Sequence, residues 1–144
     1  MFAHIAQAFP QAPIFTALFE DTATGDLIAK ERVVTSFLQK FPLHNRYFRA
    51  LAPFYPSAFE SFDLSAFDTI VSSTTAWAKG VRAKPGAKHV CYINTVSRFA
   101  FAYDSYVGGF ALRNLARPIV RRLVEWDKLA AQRPTAFIAN SHNV

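Results

Sequence analysis

The chain has 144 residues, of which 51% are hydrophobic and 18% charged, so it can bury a core and does not have the composition of a disordered protein. Sixteen Lys and Arg against ten Asp and Glu give a net charge of +6, which favours an anionic partner such as phosphate, nucleic acid or an acidic bilayer surface. A single cysteine, Cys91, excludes an internal disulfide framework, and we expect it to be a buried small side chain. Most of the fifteen Phe residues alternate with aliphatic residues rather than cations, so core packing explains them and nucleic-acid binding is not expected.

The first 19 residues carry no Asp, Glu, Lys or Arg, and they resemble a membrane or signal segment only superficially. Pro10 and Pro13 interrupt the stretch and no basic segment precedes it, so the sequence predicts globular, cytoplasmic chain. A helix that ends at Pro10 is predicted by the helical spacing of four apolar residues, Phe2, Ile5, Ala6 and Phe9.

The next segment predicts two strands and a helix. The apolar run PIFTALF, from Pro13, predicts a buried strand, and Val33 to Phe37 predicts a second, brief one. HNRYFRALAPFYP predicts a helix that ends at Pro53 and Pro56. Its Arg46 and Arg49 are expected on a solvated face.

The centre of the sequence is the stretch from Phe67 to Arg98. It predicts a buried strand, DTIVSS, then a short helix, TAWAKGV, then a basic turn, then a second buried strand, HVCYINT. Small polar residues follow both strands, and the carboxyl ends of parallel strands meet at one edge of a sheet, where ligands bind. The sequence therefore predicts one polar wall of a ligand cleft.

Several residues of this wall have two interpretations. Ser73 and Thr74 can contact a ligand or cap the following helix, and the two roles are compatible. Lys79 can complement the dipole at that helix's carboxyl end. Arg98 can hold a phosphate or carboxylate, or pair with Asp104.

The segment from Leu112 to Arg133 predicts the longest helix, with Pro118 in its first turn or at a kink. The residues expected to face the core recur at helical spacing: Ile119, Leu123, Trp126 and Ala130. A basic cluster, either solvated or in contact with anionic lipid, consists of Arg113, Arg117, Arg121 and Arg122. TAFIANS then predicts another buried strand, so the expected fold is α/β, an open Rossmann-like three-layer arrangement with a mainly parallel sheet.

Three segments carry a resemblance to a family: FDLSAFDTIVSSTTAWAKGV, KHVCYINTVSRFAFAYDSYVG and RLVEWDKLAAQRPTAFIANSHNV. In this order they resemble the amino-terminal half of family 4 glycosyltransferases, retaining enzymes of the GT-B type that use a nucleotide sugar and have two Rossmann-like domains. The family motifs match at Ser72 with Ser73, Lys79 with Gly80, Thr95, Arg98, and Trp126 with Asp127. The family's cleft histidine falls on Asn94 and the proline of the same motif on Val96. Asn94 keeps donor and acceptor capacity but cannot titrate.

The resemblance implies that residues 1–144 are a partial amino-terminal domain supplying the acceptor-side wall, with the carboxyl-terminal nucleotide-sugar-binding domain elsewhere. It implies Asn94 at the catalytic position and substrate contacts from Ser73, Lys79, Thr95 and Arg98. Thr74 is a further candidate substrate contact from its position after the same strand. The expected partners are a saccharide or lipid-linked acceptor and the other domain, and no metal or cofactor is expected beyond the nucleotide sugar as donor substrate. Peripheral contact with the cytoplasmic membrane face stays open.

Two further expectations concern activity. The absence of a first strand and the end of the sequence at a strand-to-helix connection suggest a fragment, so we expect the 144-residue chain to transfer no sugar alone. The alternative from a different class is a non-catalytic Rossmann-like binding or partner module, for which a membrane surface is one location.

Overall fold

A computed structural model of the chain describes residues 2–24, 28–42, 44–95, 97 and 110–141. The chain divides into two compact units, residues 1–62 and residues 63–144. Each unit contains its own parallel sheet.

The first unit is a two-stranded sheet with short helices. Its helices are α1 (Phe2–Ala8), α2 (Asp21–Thr24), α3 (His44–Tyr47) and α4 (Tyr55–Glu60), and its strands are β1 (Ile14–Thr16) and β2 (Val33–Thr35). Single 3₁₀ turns cover Lys30–Arg32, Phe37–Lys40 and Ala52–Phe54. The two strands are parallel, with Ile14 opposite Val33.

The core of the first unit is small and is centred on Leu38, which is fully buried together with Ala58 and Ala17. Arg32 joins the end of α1 to the start of β2, because its guanidinium donates to the carbonyls of Ala6, Phe9 and Ala12 at 3.3, 2.7 and 3.0 Å. Those carbonyls lie at the end of the helix and in the turn after it, where helical donors run out, and the Phe9 carbonyl also accepts from the backbone N–H of Ala12. One side chain thus stabilises the turn that Pro10 and Pro13 require.

The second unit contains β3 (Thr69–Thr74), β4 (Lys88–Ile93), the 21-residue helix α5 (Phe110–Ala130) and β5 (Ala136–Ala139). A 3₁₀ turn covers Ala78–Gly80. The strands lie in the order β3-β4-β5 and are all parallel. Their register aligns Ser72 with Cys91, and Cys91 with Phe137. The carboxyl ends of the three strands therefore lie side by side.

Burial alternates along β3 and β4, as the two-residue period of a strand requires. Ser72, Thr74, His89 and Cys91 are buried, whereas Val71, directly before Ser72, is 40% exposed. The sheet therefore has one buried face, and several of the side chains on it are polar.

These features confirm the coarse prediction of an α/β fold with parallel strands, although the strands form two small open sheets. The amino-terminal helix, the strands near Ile14 and Val33, both central strands and the long helix lie where the sequence predicts them. Cys91 is completely buried, as predicted. Among the described residues, no helix combines the length and the apolar composition needed to cross a bilayer.

Four local predictions were wrong. HNRYFRALAPFYP is divided into α3, a 3₁₀ turn and α4, and Pro56 lies in the first turn of α4, where its missing N–H costs nothing, rather than ending a helix. TAWAKGV forms only a 3₁₀ turn. Ile119 is 43% exposed rather than facing the core. Strand β5 is exposed at all four residues rather than buried.

Candidate functional site

The ends of the three strands in the second unit are joined by the side chains of two asparagines. Asn94 follows β4, and its Nδ2 donates to Ser73 Oγ at 3.2 Å and to the Thr74 carbonyl at 3.3 Å, both in β3. Asn140 follows β5, and its Nδ2 donates to the Asn94 carbonyl at 2.8 Å. The predicted meeting of polar groups at the carboxyl edge of the sheet is thus present, and Ser73, Asn94 and Asn140 are called the strand-end cluster below.

The strand-end cluster offers a neutral donor and a neutral acceptor next to each other. Within the described part of the chain, the hydrogen bonds of the Asn94 side chain both use Nδ2, which leaves Oδ1 as an acceptor. Ser73 Oγ accepts from Asn94, so its own O–H can donate to a further group. Both side chains are only half-buried. A hydroxyl group of a ligand, which donates and accepts at once, complements this pair.

Thr74 is turned away from this pair and caps the following turn. Its Oγ1 accepts from the backbone N–H groups of Ala76 and Ala78 at 2.9 and 3.1 Å, and the residue is buried. The capping role is therefore present in the structure and belongs to Thr74, whereas Ser73 belongs to the strand-end cluster. Their opposite orientations follow from the alternation of side chains along β3.

Lys79 forms a buried ion pair. Its Nζ lies 2.6 Å from Asp127 Oδ1 of α5, with side-chain exposures of 8% and 15%. Ser97 completes the group, because Lys79 donates to its Oγ at 3.1 Å and the Ser97 hydroxyl donates to Asp127 at 2.7 Å. A buried charge requires such partners. The three side chains connect the turn after β3, the chain after β4, and α5.

The same turn packs tightly against Trp126. A Cβ added to Gly80 would lie 2.6 Å from Cη2 of Trp126, so only glycine fits at this position. The Trp126 ring also lies beside that of Trp77, with centroids 5.8 Å apart, and Arg133 donates to the Gly80 carbonyl. The turn that follows β3 is therefore fixed against α5 from several directions.

A second polar pair lies inside the buried face of the sheet. Ser72 Oγ and His89 Nε2 are hydrogen-bonded at 2.8 Å, and His89 is 1% exposed. Among the described residues, His89 Nδ1 has no hydrogen-bond partner. Burial lowers the pKa of His89 to about 4, so the ring is neutral near pH 7. Burial also raises the pKa of the neighbouring Cys91 thiol, against the smaller opposing effects of Ser72 and Lys79.

The sequence-predicted site residues therefore occupy three different environments. Ser73 and Asn94 are together at the edge, with Thr95, half-buried, directly after Asn94. Thr74 is a cap, and Lys79 is buried in its ion pair. Arg98 lies outside the described residues, so its role stays a prediction.

Two contacts were not foreseen from the sequence. Asn140 lies at the end of the segment TAFIANS, and the parallel alignment of that strand with β4 is what places it beside Asn94. The pairing of Ser72 with His89 was missed as well. The sequence feature that could have revealed this pairing is one polar residue at a buried position in each of two neighbouring strands, because buried polar groups need a hydrogen-bond partner.

The described residues contain no group of three or more His, Cys, Asp and Glu side chains that could hold a metal ion. In comparisons with protein-family models, with curated proteins and with solved structures, the chain has no match.

Proposed function

We propose that the chain supplies the acceptor-side wall of a retaining glycosyltransferase, an enzyme that transfers a sugar from a nucleotide sugar to a saccharide or lipid-linked acceptor. The observation that carries the proposal is the pair formed by the Ser73 hydroxyl and Asn94 Oδ1 at the carboxyl edge of parallel strands. The motifs that resemble family 4 glycosyltransferases supply the reaction class. The proposal places the chain in a Rossmann-like domain and assigns donor binding to a second domain outside these residues.

The proposed role of the strand-end cluster is to bind and orient acceptor hydroxyl groups. Ser73 donates to an acceptor oxygen, and Asn94 Oδ1 accepts from a hydroxyl on the same sugar. The hydrogen bond from Asn140 to the Asn94 carbonyl holds the backbone of Asn94 in place. Because a side-chain amide does not titrate near neutral pH, Asn94 positions the acceptor and does not act as a general acid or base in this proposal.

The buried ion pair of Lys79 has a supporting role. With Asp127 and Ser97 it fixes the segments that follow β3 and β4, and Asn94 of the strand-end cluster lies in the second of these segments. A transfer reaction requires the acceptor to be oriented to within a fraction of an ångström. We therefore assign Lys79 to positioning rather than to direct contact with the acceptor.

The experiment is a titration of the isotopically labelled 144-residue chain, followed by amide resonances in two-dimensional NMR. The probes are maltotriose, diacetylchitobiose and UDP-glucose. We expect a saccharide to shift the backbone amides of Ser73 and Asn94 and the Asn94 side-chain amide. Ser73→Ala should weaken binding, whereas Thr69→Val, which removes a hydroxyl on the same face at the other end of β3, should not. Equal binding by the two variants, or no saccharide shift at all, would refute the proposed site.

A non-catalytic binding module is the second candidate, and one observation favours it. Every side chain of the strand-end cluster is a hydroxyl or an amide, and the nearby Lys79 is held in its ion pair, so this edge is equipped for binding rather than for proton transfer. The deciding assay uses radiolabelled nucleotide sugar with protein expressed from the complete reading frame. Transfer supports the enzyme, and saccharide binding without transfer supports the module.

A further inference from the structure

The first unit exposes an unusual concentration of aromatic side chains between residues 37 and 54. Five rings in this segment are 42% to 51% exposed: Phe37, Phe41, Tyr47, Phe48 and Phe54. Large apolar groups are normally buried, and exposed groups of them mark interaction sites. The exposed side chains of residues 37–54 are called the aromatic surface below.

The aromatic surface is also cationic. No Asp or Glu occurs from residue 32 to residue 59, whereas Lys40, Arg46 and Arg49 all lie within the aromatic surface and are exposed. Arg46 Cζ lies 5.9 Å from the centre of the Tyr47 ring, and Arg49 Cζ lies 5.4 Å from the centre of the Phe48 ring. Two of the rings are thus each accompanied by a guanidinium group.

The backbone that carries these rings is well anchored. Leu38 and Leu51, which belong to the same segment, are buried, and the Tyr55 hydroxyl donates to the Phe48 carbonyl at 3.2 Å. His44 Nδ1 is hydrogen-bonded to the Phe41 carbonyl at 2.9 Å. The exposed rings therefore project from a folded base, and their exposure is not a sign of local unfolding.

We propose that the aromatic surface binds an anionic bilayer, with the rings entering the headgroup region and Arg46 and Arg49 contacting lipid phosphates. Aromatic side chains favour this interfacial region, and each nearby cation strengthens binding to an acidic membrane by about fivefold. Charge complementarity is the argument for this occupant, since the surface is wholly cationic. The inference does not depend on the proposed sugar site, whose residues belong to the other unit.

Single-stranded nucleic acid also binds arginines and aromatic rings, but the geometry favours lipid. Successive bases stack on rings arranged as a platform, commonly on adjacent strands of a sheet. Here the rings lie on two 3₁₀ turns, on α3 and on the chain between them, and none of the five lies in a strand. Rings on short turns can enter a headgroup layer independently of one another.

The test is co-sedimentation of the 144-residue chain with vesicles of phosphatidylcholine alone or with a quarter phosphatidylglycerol. We expect binding to the anionic vesicles only, and a loss of about 30-fold in the double variant Arg46→Gln/Arg49→Gln. The matched control is Arg121→Gln/Arg122→Gln, which removes the same charge from exposed positions of α5 and should leave binding within about threefold. Phe48→Ser should lower binding about tenfold without altering the circular dichroism spectrum.

Several outcomes would overturn the inference. Equal losses in the two arginine pairs would mean that net charge or α5, rather than the aromatic surface, governs binding. Equal binding to neutral vesicles, or no binding to either, would remove the role of anionic lipid. Binding of a fluorescent single-stranded RNA that Arg46→Gln/Arg49→Gln abolishes, without vesicle binding, would assign the surface to nucleic acid. A dimer in sedimentation velocity that Phe48→Ser dissociates would assign it to a second copy of the chain.

Discussion

The buried ion pair between Lys79 and Asp127 gives the sharpest test of how the second unit is held together. Both side chains are nearly inaccessible and their charged atoms are 2.6 Å apart. Removing one member of such a pair leaves a buried charge without its counterion, which costs about 3 to 5 kcal/mol of unfolding free energy. We therefore expect both single variants, Lys79→Met and Asp127→Leu, to be strongly destabilised.

The hydroxyl group of Ser97 predicts which of the two single variants loses more stability. In Lys79→Met, Asp127 still accepts the hydrogen bond of Ser97 at 2.7 Å, so the loss should fall near 3 kcal/mol, the lower end of the range. In Asp127→Leu, Lys79 retains only a neutral hydroxyl oxygen at 3.1 Å, so the loss should approach about 5 kcal/mol. The double variant removes both charges and should recover most of the stability, to within about 2 kcal/mol of the original chain.

The assay is urea unfolding followed by tryptophan fluorescence, because both tryptophans of the chain, Trp77 and Trp126, lie in the second unit and report on it alone. The control is Glu125→Gln, which breaks the exposed pair with Lys128 on the same helix and should cost less than about 0.5 kcal/mol. The reasoning fails if Lys79→Met is as harmless as the control. It also fails if the double variant loses the sum of the two single losses, since the charges would then not be coupled.

Three other predictions concern the same unit. Gly80→Ala should cost about 1 to 3 kcal/mol in the same urea assay, because its methyl group would overlap the Trp126 indole; Gly80→Ala without loss of stability would contradict this packing. Thr74→Val removes the acceptor of two backbone N–H groups and should cost about 1 to 2 kcal/mol, whereas Thr74→Ser should retain most of the stability; equal losses would exclude a capping role. The pKa of His89 is 6.5 in the unfolded chain and about 4 in the folded chain, so between pH 4 and pH 6.5 the unfolded chain binds one more proton than the folded chain. The contribution of His89 to stability, about 3 kcal/mol, is therefore complete above pH 6.5 and is lost as the pH falls toward 4. The free energy of unfolding should vary less with pH over this range in His89→Gln, and an unchanged pH dependence would refute the role of His89.

The sequence predicts most of the regular elements because their signals are local. Apolar runs bounded by Pro, Gly and polar residues locate β3 and β4, and helical spacing of apolar residues locates α5. The helix prediction from residue 44 onward is wrong for a local reason too, because Pro56 is as acceptable in the first turn of a helix as after its end. Periodicity alone does not distinguish these two positions.

The features that the sequence does not predict depend on contacts with other parts of the chain. The apolar run of β5 has the composition of a buried strand, yet all four of its residues are exposed. Burial depends on which other segments pack against a strand, and the composition of the strand itself does not show this. The interpretation of Lys79 as a partner for a helix dipole was reasonable locally, but Asp127, 48 positions further along the chain, decides its environment. The composition of the chain favours core packing for its Phe residues, yet about half of the surface of Phe48 is exposed.

The adjacent serines of β3 show how the buried face and the candidate site depend on each other. Because successive side chains of a strand point to opposite faces, Ser72 is directed into the buried face, where it bonds His89, and Ser73 is left on the other face, where it meets Asn94. A shift of β3 by one residue relative to β4 would exchange these roles, burying Ser73 and placing Ser72 at the site. The hydrogen bond between Ser72 and His89 opposes the shift that would bring Ser72 opposite Tyr92, because Val71 would then take the place of Ser72 beside His89 and the bond would be lost. A polar pair on the buried face thus favours the register in which Ser73 is the hydroxyl group of the strand-end cluster.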